Sequence, residues 1–287
     1  MSVKDVVTWN AVISGYVQNG LSEDGLRVFE LMREALDVFE ELKDDKLNPN
    51  EPTLVSTSSA CGHLGALDIG KKIHIYAEER NFQFAVTLGT ALVDMYSKCG
   101  CITEAREVFN KMPDHDVMTW TSMIGGLAVH GHAKEALDLF MLMLDVGPRP
   151  DGITFVGVLC ACSHAGLVEQ DLHYFKSMRH NYNITPKIEH HGRAGRLEEA
   201  HEIISSMEIQ PNAIVWKAFL SACRLHSNVK LAEFAVHNLF KLQSDNCGDY
   251  VLVSNIYASK GRWDDVKHVR KKMDERGVKK IPGLSLI

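Results

Sequence analysis

The sequence predicts an all-α chain, a solenoid of stacked helix–turn–helix repeats, and three observations predict it. The first is recurrence. A glycine-centred turn between two helical stretches returns at Gly20, Gly65, Gly100, Gly131, Gly166 and Gly195, at spacings of 45, 35, 31, 35 and 29 residues. Periods in the thirties mark stacked supersecondary units rather than one globular core. The second is the period inside each unit. Glu104-Ala105-Arg106-Glu107-Val108-Phe109 and Lys134-Glu135-Ala136-Leu137-Asp138-Leu139-Phe140 both set an alanine and a Val/Leu–Phe pair on one helical face. The third is punctuation. Glycine after a first helix supplies the left-handed cap conformation, and Pro49-Asn50, Pro150-Asp151 and Pro211-Asn212 stop a second helix. A lone hairpin cannot bury its apolar face, so its neighbours must stack on it. No strand signal competes.

Composition narrows the function classes. The chain has 287 residues, 45% hydrophobic and 24% charged, which is ample for a buried core. No run of about 18 apolar residues is present, which argues against a membrane span and a membrane partner. Seven cysteines without a pairing pattern fit a reducing compartment. The N-terminal MSVKDVVTWN lacks the Arg- and Ser-rich, acid-poor composition of a transit peptide and runs directly into repeat sequence, as a fragment would. A net charge of −6 disfavours binding of nucleic acid through phosphates alone.

The segments VVTWNAVISGYVQNG, TALVDMYSKCG, TWTSMIGGLAVHG and FVGVLCACSHAGLVEQ resemble the pentatricopeptide repeats of plant organellar proteins. The mixed unit lengths resemble the subclass that alternates standard, long and short repeats. The resemblance implies a right-handed superhelical solenoid. Units fall at 6–50, 51–85, 86–116, 117–151, 152–187 and 188–212, forming an array over 1–212. The segment 213–287, from WKAFLSACRLHSN through YVLVSNIYASKGRWDDVKHVRKKMDERGVKKIPG, resembles the E-type extension of tetratricopeptide-like helical hairpins.

Two units depart from the pattern. The first is about ten residues too long, because Gly25-Leu26-Arg27-Val28-Phe29 is echoed by Ala35-Leu36-Asp37-Val38-Phe39. A ten-residue shift rotates the second copy by roughly 80°, which predicts a bent or over-long second helix with one copy partly exposed. The sixth unit is short. Ile188-Glu189-His190-His191 is followed at once by Gly192-Arg193-Ala194-Gly195, leaving no room for a full first helix.

The resemblance implies RNA read one base per repeat by two or three side chains of each unit, chiefly the fifth residue and the last. These are Asn10 with Asn50, Val55 with Ala85, Thr90 with Asp116, Thr121 with Asp151, and Val156 with Lys187; the sixth unit offers Asn212 without a partner. Amides, hydroxyls and carboxylates match the donors and acceptors of base edges. The family's code gives a pyrimidine for Asn with Asn, guanine for Thr with Asp, and little preference for the valine units. In parallel orientation the expected element is pyrimidine, any, G, G, any. The plainer alternative is that Asp116, Asp151 and Asn212 merely cap the next helix. Second-place residues such as Val7 and Met118 are candidates for sandwiching a base or for packing.

No catalytic constellation, metal site or cofactor motif emerges. Cys99-Gly-Cys101 and Cys160-Ala-Cys162 have one residue between thiols rather than the two or more usual for zinc. Cys61, Cys162 and Cys223 share the eleventh place of their units, which reads as packing. His190-His191 reads as the remnant of a shortened helix, and the other histidines look scattered. The H-x-E and C-x-x-C signatures of a zinc deaminase do not occur in this sequence. The expectation is therefore a non-enzymatic adaptor for single-stranded organellar RNA, in mitochondrion or chloroplast, that recruits a C-to-U deaminase in trans. The alternatives are a peptide-binding helical scaffold and a decayed array with weak binding. Lys267, Arg270, Lys271, Lys272, Arg276, Lys279 and Lys280 form a basic stretch, read either as a solvated face balanced by Asp264, Asp265, Asp274 and Glu275, or as an RNA or partner contact.

Overall fold

Local chemistry decides where the helices begin and end. The computed structural model describes residues 49–80, 82, 86–207, 210–226, 228–242 and 247–278, and among them every regular element is α-helical. Residues 6–48 of the over-long first unit, with Asn10 and Val7, lie outside the described residues, as do Ala85, Lys279 and Lys280. The described residues divide after Ala165 into two compact units.

The first unit holds α1 (Glu51–Leu64), α2 (Leu67–Glu79), α3 (Val86–Lys98), α4 (Ile102–Lys111), α5 (Val117–Val129), α6 (Ala133–Val146) and α7 (Gly152–Ala165). The odd-numbered helices pack on one another in order, α1 on α3, α3 on α5 and α5 on α7. Each even-numbered helix packs beside its own partner and the next odd-numbered helix. The odd-numbered helices are thus a continuous inner layer, and the others wedge between them from outside. Close inner packing needs small residues. A Cβ on Gly126 of α5 would run into the Ser97 side chain of α3. Leu54, Leu88, Leu92, Phe140 and Phe155 lose all or nearly all solvent contact, each such burial being worth roughly 1.5–3 kcal/mol. Phe140 of α6 meets Phe155 of α7 edge to face at 5.5 Å, tying an outer helix to the next inner one.

The turns follow the predicted punctuation. Gly65, Gly100, Gly131, Gly166 and Gly195 all take positive φ, between 66° and 82°. Gly261 and Gly277, near the C-terminus, do so too. A histidine then locks several inner-helix ends. Within the first unit, His130 Nε2 donates to the Ser97 carbonyl at 2.8 Å and His164 Nδ1 to the Ala128 carbonyl at 3.0 Å. These carbonyls lie in the last turn, where the helical ladder has no donor for them. The turn glycines Gly100 and Gly131 approach the same oxygens at 3.2 and 3.3 Å. The histidines, which look scattered in the sequence, therefore repeat one task.

The second unit holds α8 (Val168–His180), α9 (Ile188–Arg193), α10 (Leu197–Ser205), α11 (Ala213–Leu225), α12 (Val229–Lys241), α13 (Cys247–Ser259) and α14 (Trp263–Glu275). α9, in the sixth unit, has only 6 residues. It still packs on α11, with Gly192 facing Ala222. His226 Nε2 donates to the Gly192 carbonyl at 2.9 Å, the same histidine lock. Phe219, Leu220, Cys223, Leu239, Tyr250 and Val253 form the core of this unit.

Two outcomes test this fold. Gly131→Ala adds no clash, since nothing lies within 4 Å of a Cβ there, so its cost is the backbone's alone. It should destabilise the protein by about 1 kcal/mol, read as a lowered midpoint in urea unfolding. Asp171 is buried on α8, and its Oδ1 has no hydrogen-bond partner among the described residues. Burial pushes its carboxyl from 3.8 up to about 6, against the pull of Arg196. Because the folded state holds this proton more tightly, its contribution to stability falls as pH rises from about 4 to about 6. Asp171→Asn should therefore gain on the wild type across that window and keep the gain at pH 7. Unfolding midpoints at pH 4, 5, 6 and 7 check this.

Candidate nucleic-acid interface

The starts of the inner helices carry the candidate site, and one local device builds them. Asn50 opens α1, and its Oδ1 accepts from the Thr53 backbone N–H at 3.2 Å and the Thr53 hydroxyl at 2.8 Å. Asp116 opens α5 and accepts from the N–H and hydroxyl of Thr119, both at 2.8 Å. Asp151 precedes α7 and accepts from the N–H and hydroxyl of Thr154, both at 2.9 Å. Asn212 opens α11 and accepts from the Val215 N–H at 3.1 Å. All four therefore act as N-caps, satisfying donors that the helix leaves open. Capping uses Oδ1 alone. Oδ2 of Asp116 and of Asp151 bonds to no described residue, and both aspartates are solvent-exposed.

Stacking of the inner helices brings a second residue to each aspartate. Thr90 Oγ1 lies 2.6 Å from Thr119 Oγ1 across the α3–α5 contact. Thr121 Oγ1 lies 2.8 Å from Thr154 Oγ1 across the α5–α7 contact. The fifth and last residues of units 86–116 and 117–151 thus meet through a threonine of the following unit. Val55 and Val156 are half-buried on α1 and α7, and Lys187 is exposed before α9, its N–H donating to His190 Nδ1 at 3.0 Å.

Above the Thr121–Asp151 pair a cleft of about 540 Å³ opens between α3, α5 and α7, lined by Met118, Thr121, Gly125, Asp151 and Ile153, with Lys98 further along. Met118 and Ile153, the second residues of their units, are each 68% exposed. Packing does not account for Met118. An apolar slot with two polar groups at one side can take a flat aromatic ring and bond to its edge.

The cysteines and several charged side chains near the C-terminus have partners within the fold. Cys61, Cys162 and Cys223 are fully buried, and burial pushes the Cys223 thiol up to about 12, as packing residues require. On α14, Lys267 pairs with Asp264 at 3.4 Å and Lys271 with Glu275 at 3.8 Å. Arg262 pairs with Glu233 and Asp265 at 2.6 and 2.7 Å. No described helix is long and apolar enough to cross a membrane. Sequence reasoning passed over Thr119 and Thr154, although the Asn/Asp-x-x-Thr spacing at 50–53, 116–119 and 151–154 was there to be read as a cap signal.

Stacked hairpins with capped inner helices define an α-helical repeat protein, and comparison with known proteins specifies which kind. Residues 115–164 match the PPR repeat family, 7–35 and 90–117 the PPR repeat, and 226–287 the E motif. The chain is 43% identical over 293 residues to the chloroplastic pentatricopeptide repeat-containing protein At1g08070 of Arabidopsis thaliana, covering 99% of this chain and 38% of that protein. It is 43% identical over 291 residues to the mitochondrial At3g26782 of the same plant, and 42% identical over 291 residues to the chloroplastic CRR2. Each comparison covers 99% of this chain and 43% of that relative. The chain therefore spans about two fifths of the length of these relatives. Among solved structures it resembles pentatricopeptide repeat protein PPR10 in complex with an 18-nt psaJ RNA element, at a TM-score of 0.61 and 15% identity over 98% of this chain and 47% of that one. The chain carries pentatricopeptide repeats and an E motif, and the proteins it is similar to are plant pentatricopeptide repeat proteins.

The capping role of these residues has a measurable consequence. Asp116→Ala should cost about 1 kcal/mol of stability through the lost cap, whereas Asp116→Asn, which keeps an acceptor oxygen, should cost a few tenths at most. Denaturant unfolding of the two variants checks the contrast.

Proposed function

We propose that this chain is a sequence-specific adaptor for single-stranded RNA, of the subclass that alternates standard, long and short repeats. The observation that carries the reading is the pairing of Thr90 with Asp116 and of Thr121 with Asp151. Each pair joins a hydroxyl to a carboxylate oxygen left open to solvent. The second pair sits beside a cleft flanked by exposed Met118 and Ile153. A base inserted between the apolar side chains presents its edge to the threonine and the aspartate. The carboxylate is an acceptor and suits the N1–H and N2–H₂ donors of guanine. The half-buried Val55 and Val156 provide no hydrogen-bonding group, so their units tolerate any base. With Asn10 and Asn50 reading a pyrimidine, the element is pyrimidine, any, G, G, any.

The net charge of −6 supports readout of base edges over bulk attraction to phosphates. The PPR10 complex with RNA lends support from the same fold. The match to the E motif and the names of the chloroplastic and mitochondrial relatives support a role in organellar C-to-U editing. The adaptor selects the site, and a deaminase acting in trans supplies the zinc chemistry.

Selection from a random single-stranded RNA pool at near-physiological salt tests the reading. Enrichment of two adjacent guanines, with a pyrimidine two bases before the first, supports it. Binding without base preference, or none at all, overturns it in favour of a protein-binding scaffold or a decayed array. Thr121→Asn with Asp151 unchanged should move the preference at the second guanine toward uracil, checked by repeating the selection with the variant.

A further inference from the structure

The threonines at the third place of units 117–151 and 152–187 sit behind the base-reading pairs, and their bonding fixes a proton. Thr119 and Thr154 are fully buried. Each donates its hydroxyl proton to a carboxylate oxygen, Thr119 to Asp116 Oδ1 at 2.8 Å and Thr154 to Asp151 Oδ1 at 2.9 Å. An ionised carboxylate only accepts, so these two bonds have one possible direction. A hydroxyl has one proton. In the 2.6 Å contact of Thr90 with Thr119, and the 2.8 Å contact of Thr121 with Thr154, the donor must therefore be Thr90 or Thr121. The second lone pair of Thr154 accepts from the Asp151 backbone N–H at 3.2 Å, so its bonding capacity is filled. The relay runs from Thr121 to Thr154 to Asp151, and from Thr90 to Thr119 to Asp116.

We infer that Thr119 and Thr154 are specificity-determining positioning residues: by drawing the proton of Thr90 or Thr121 inward, each makes its Thr–Asp pair an acceptor-only surface that selects a base edge with two adjacent donors. The inference rests on the RNA-reading function proposed above and adds a residue from the following repeat to each readout. Thr121 faces outward with lone pairs alone, and Asp151 adds Oδ2. Guanine offers N1–H and N2–H₂ side by side. Adenine offers one donor, N6–H₂, beside the acceptor N1, which a lone pair repels. The two valine units lack the relay partner too. Val55 is followed at the corresponding third place by Leu88, and Val156 by His190. A polar relay thus accompanies a polar reader in both cases where the reader is threonine.

The test uses the full chain and a labelled single-stranded RNA carrying pyrimidine-N-G-G-N, with the second guanine replaced in turn by A, U and C. The wild type should favour guanine there by about fivefold or more. Thr154→Val keeps the shape but neither donates to Asp151 nor accepts from Thr121. It should reduce the guanine-to-adenine ratio to about twofold or less, chiefly by improved adenine binding, because the freed Thr121 hydroxyl can donate to adenine N1. Preference at the first guanine, read by Thr90 and Asp116, should stay as in the wild type, and Thr154→Ser should restore the second. An unchanged ratio in Thr154→Val overturns the inference while the proposed function stands. A wild type with no preference at either guanine overturns both. If Thr154→Val fails to fold, Thr119→Val decides at the first guanine, where an unchanged ratio likewise overturns the inference.

Discussion

A helical hairpin of this composition has more apolar surface than its two helices can cover, so each unit depends on the close approach of its inner helix to the next one. Small residues such as Gly126 allow that approach, and Phe140 against Phe155 shows an outer helix closing the seam. The histidine locks at His130 and His164 act across the same seam, bonding carbonyls that would otherwise lack a full set of partners. Remove the close approach and the locks, the buried aromatic contacts and the threonine relays all lose their geometry together. Stability in such an array is a sum of unit and interface contributions, and here the interfaces also shape the cleft beside Thr121 and Asp151.

The cap residues show how one side chain can serve the fold and, in the proposed reading, recognition as well. Asp116 and Asp151 commit one oxygen to the helix start and leave the other toward solvent. Capping holds the carboxylate in place before any ligand arrives, which lowers the ordering cost of binding. In the proposed reading, capping and base contact are two uses of different atoms of one group. A modest net charge fits the proposed reading: a reader that works through aligned edges has little need of a basic surface, and the ion pairs on α14 leave that helix largely self-neutralised.

Much of the fold was legible in the residues. The turn glycines from Gly65 to Gly195 carry positive φ because a left-handed turn follows each first helix, and the short sixth unit yields a six-residue helix because Gly192 and Gly195 come too soon. The histidines were the opposite case. His130, His164 and His226 look unrelated along the chain, because the carbonyl that each one meets belongs to a residue more than thirty positions earlier. The buried eleventh-place cysteines lay between these cases: their shared register marked packing, and only the three-dimensional contacts show how completely they are enclosed.

By itself the sequence determined the helices, their caps and their turns, since each depends on residues within about four positions of one another. It also set the chemistry available to each unit by placing threonine, valine or asparagine at the fifth place. The tertiary structure decided which groups meet. Thr90 and Thr119 are 29 residues apart, and Thr121 and Thr154 are 33 apart. Their contact exists because stacking sets the start of one inner helix against the first turns of the previous one. The direction of the proton between them follows from that contact and from the aspartate beyond it, which no local pattern could specify.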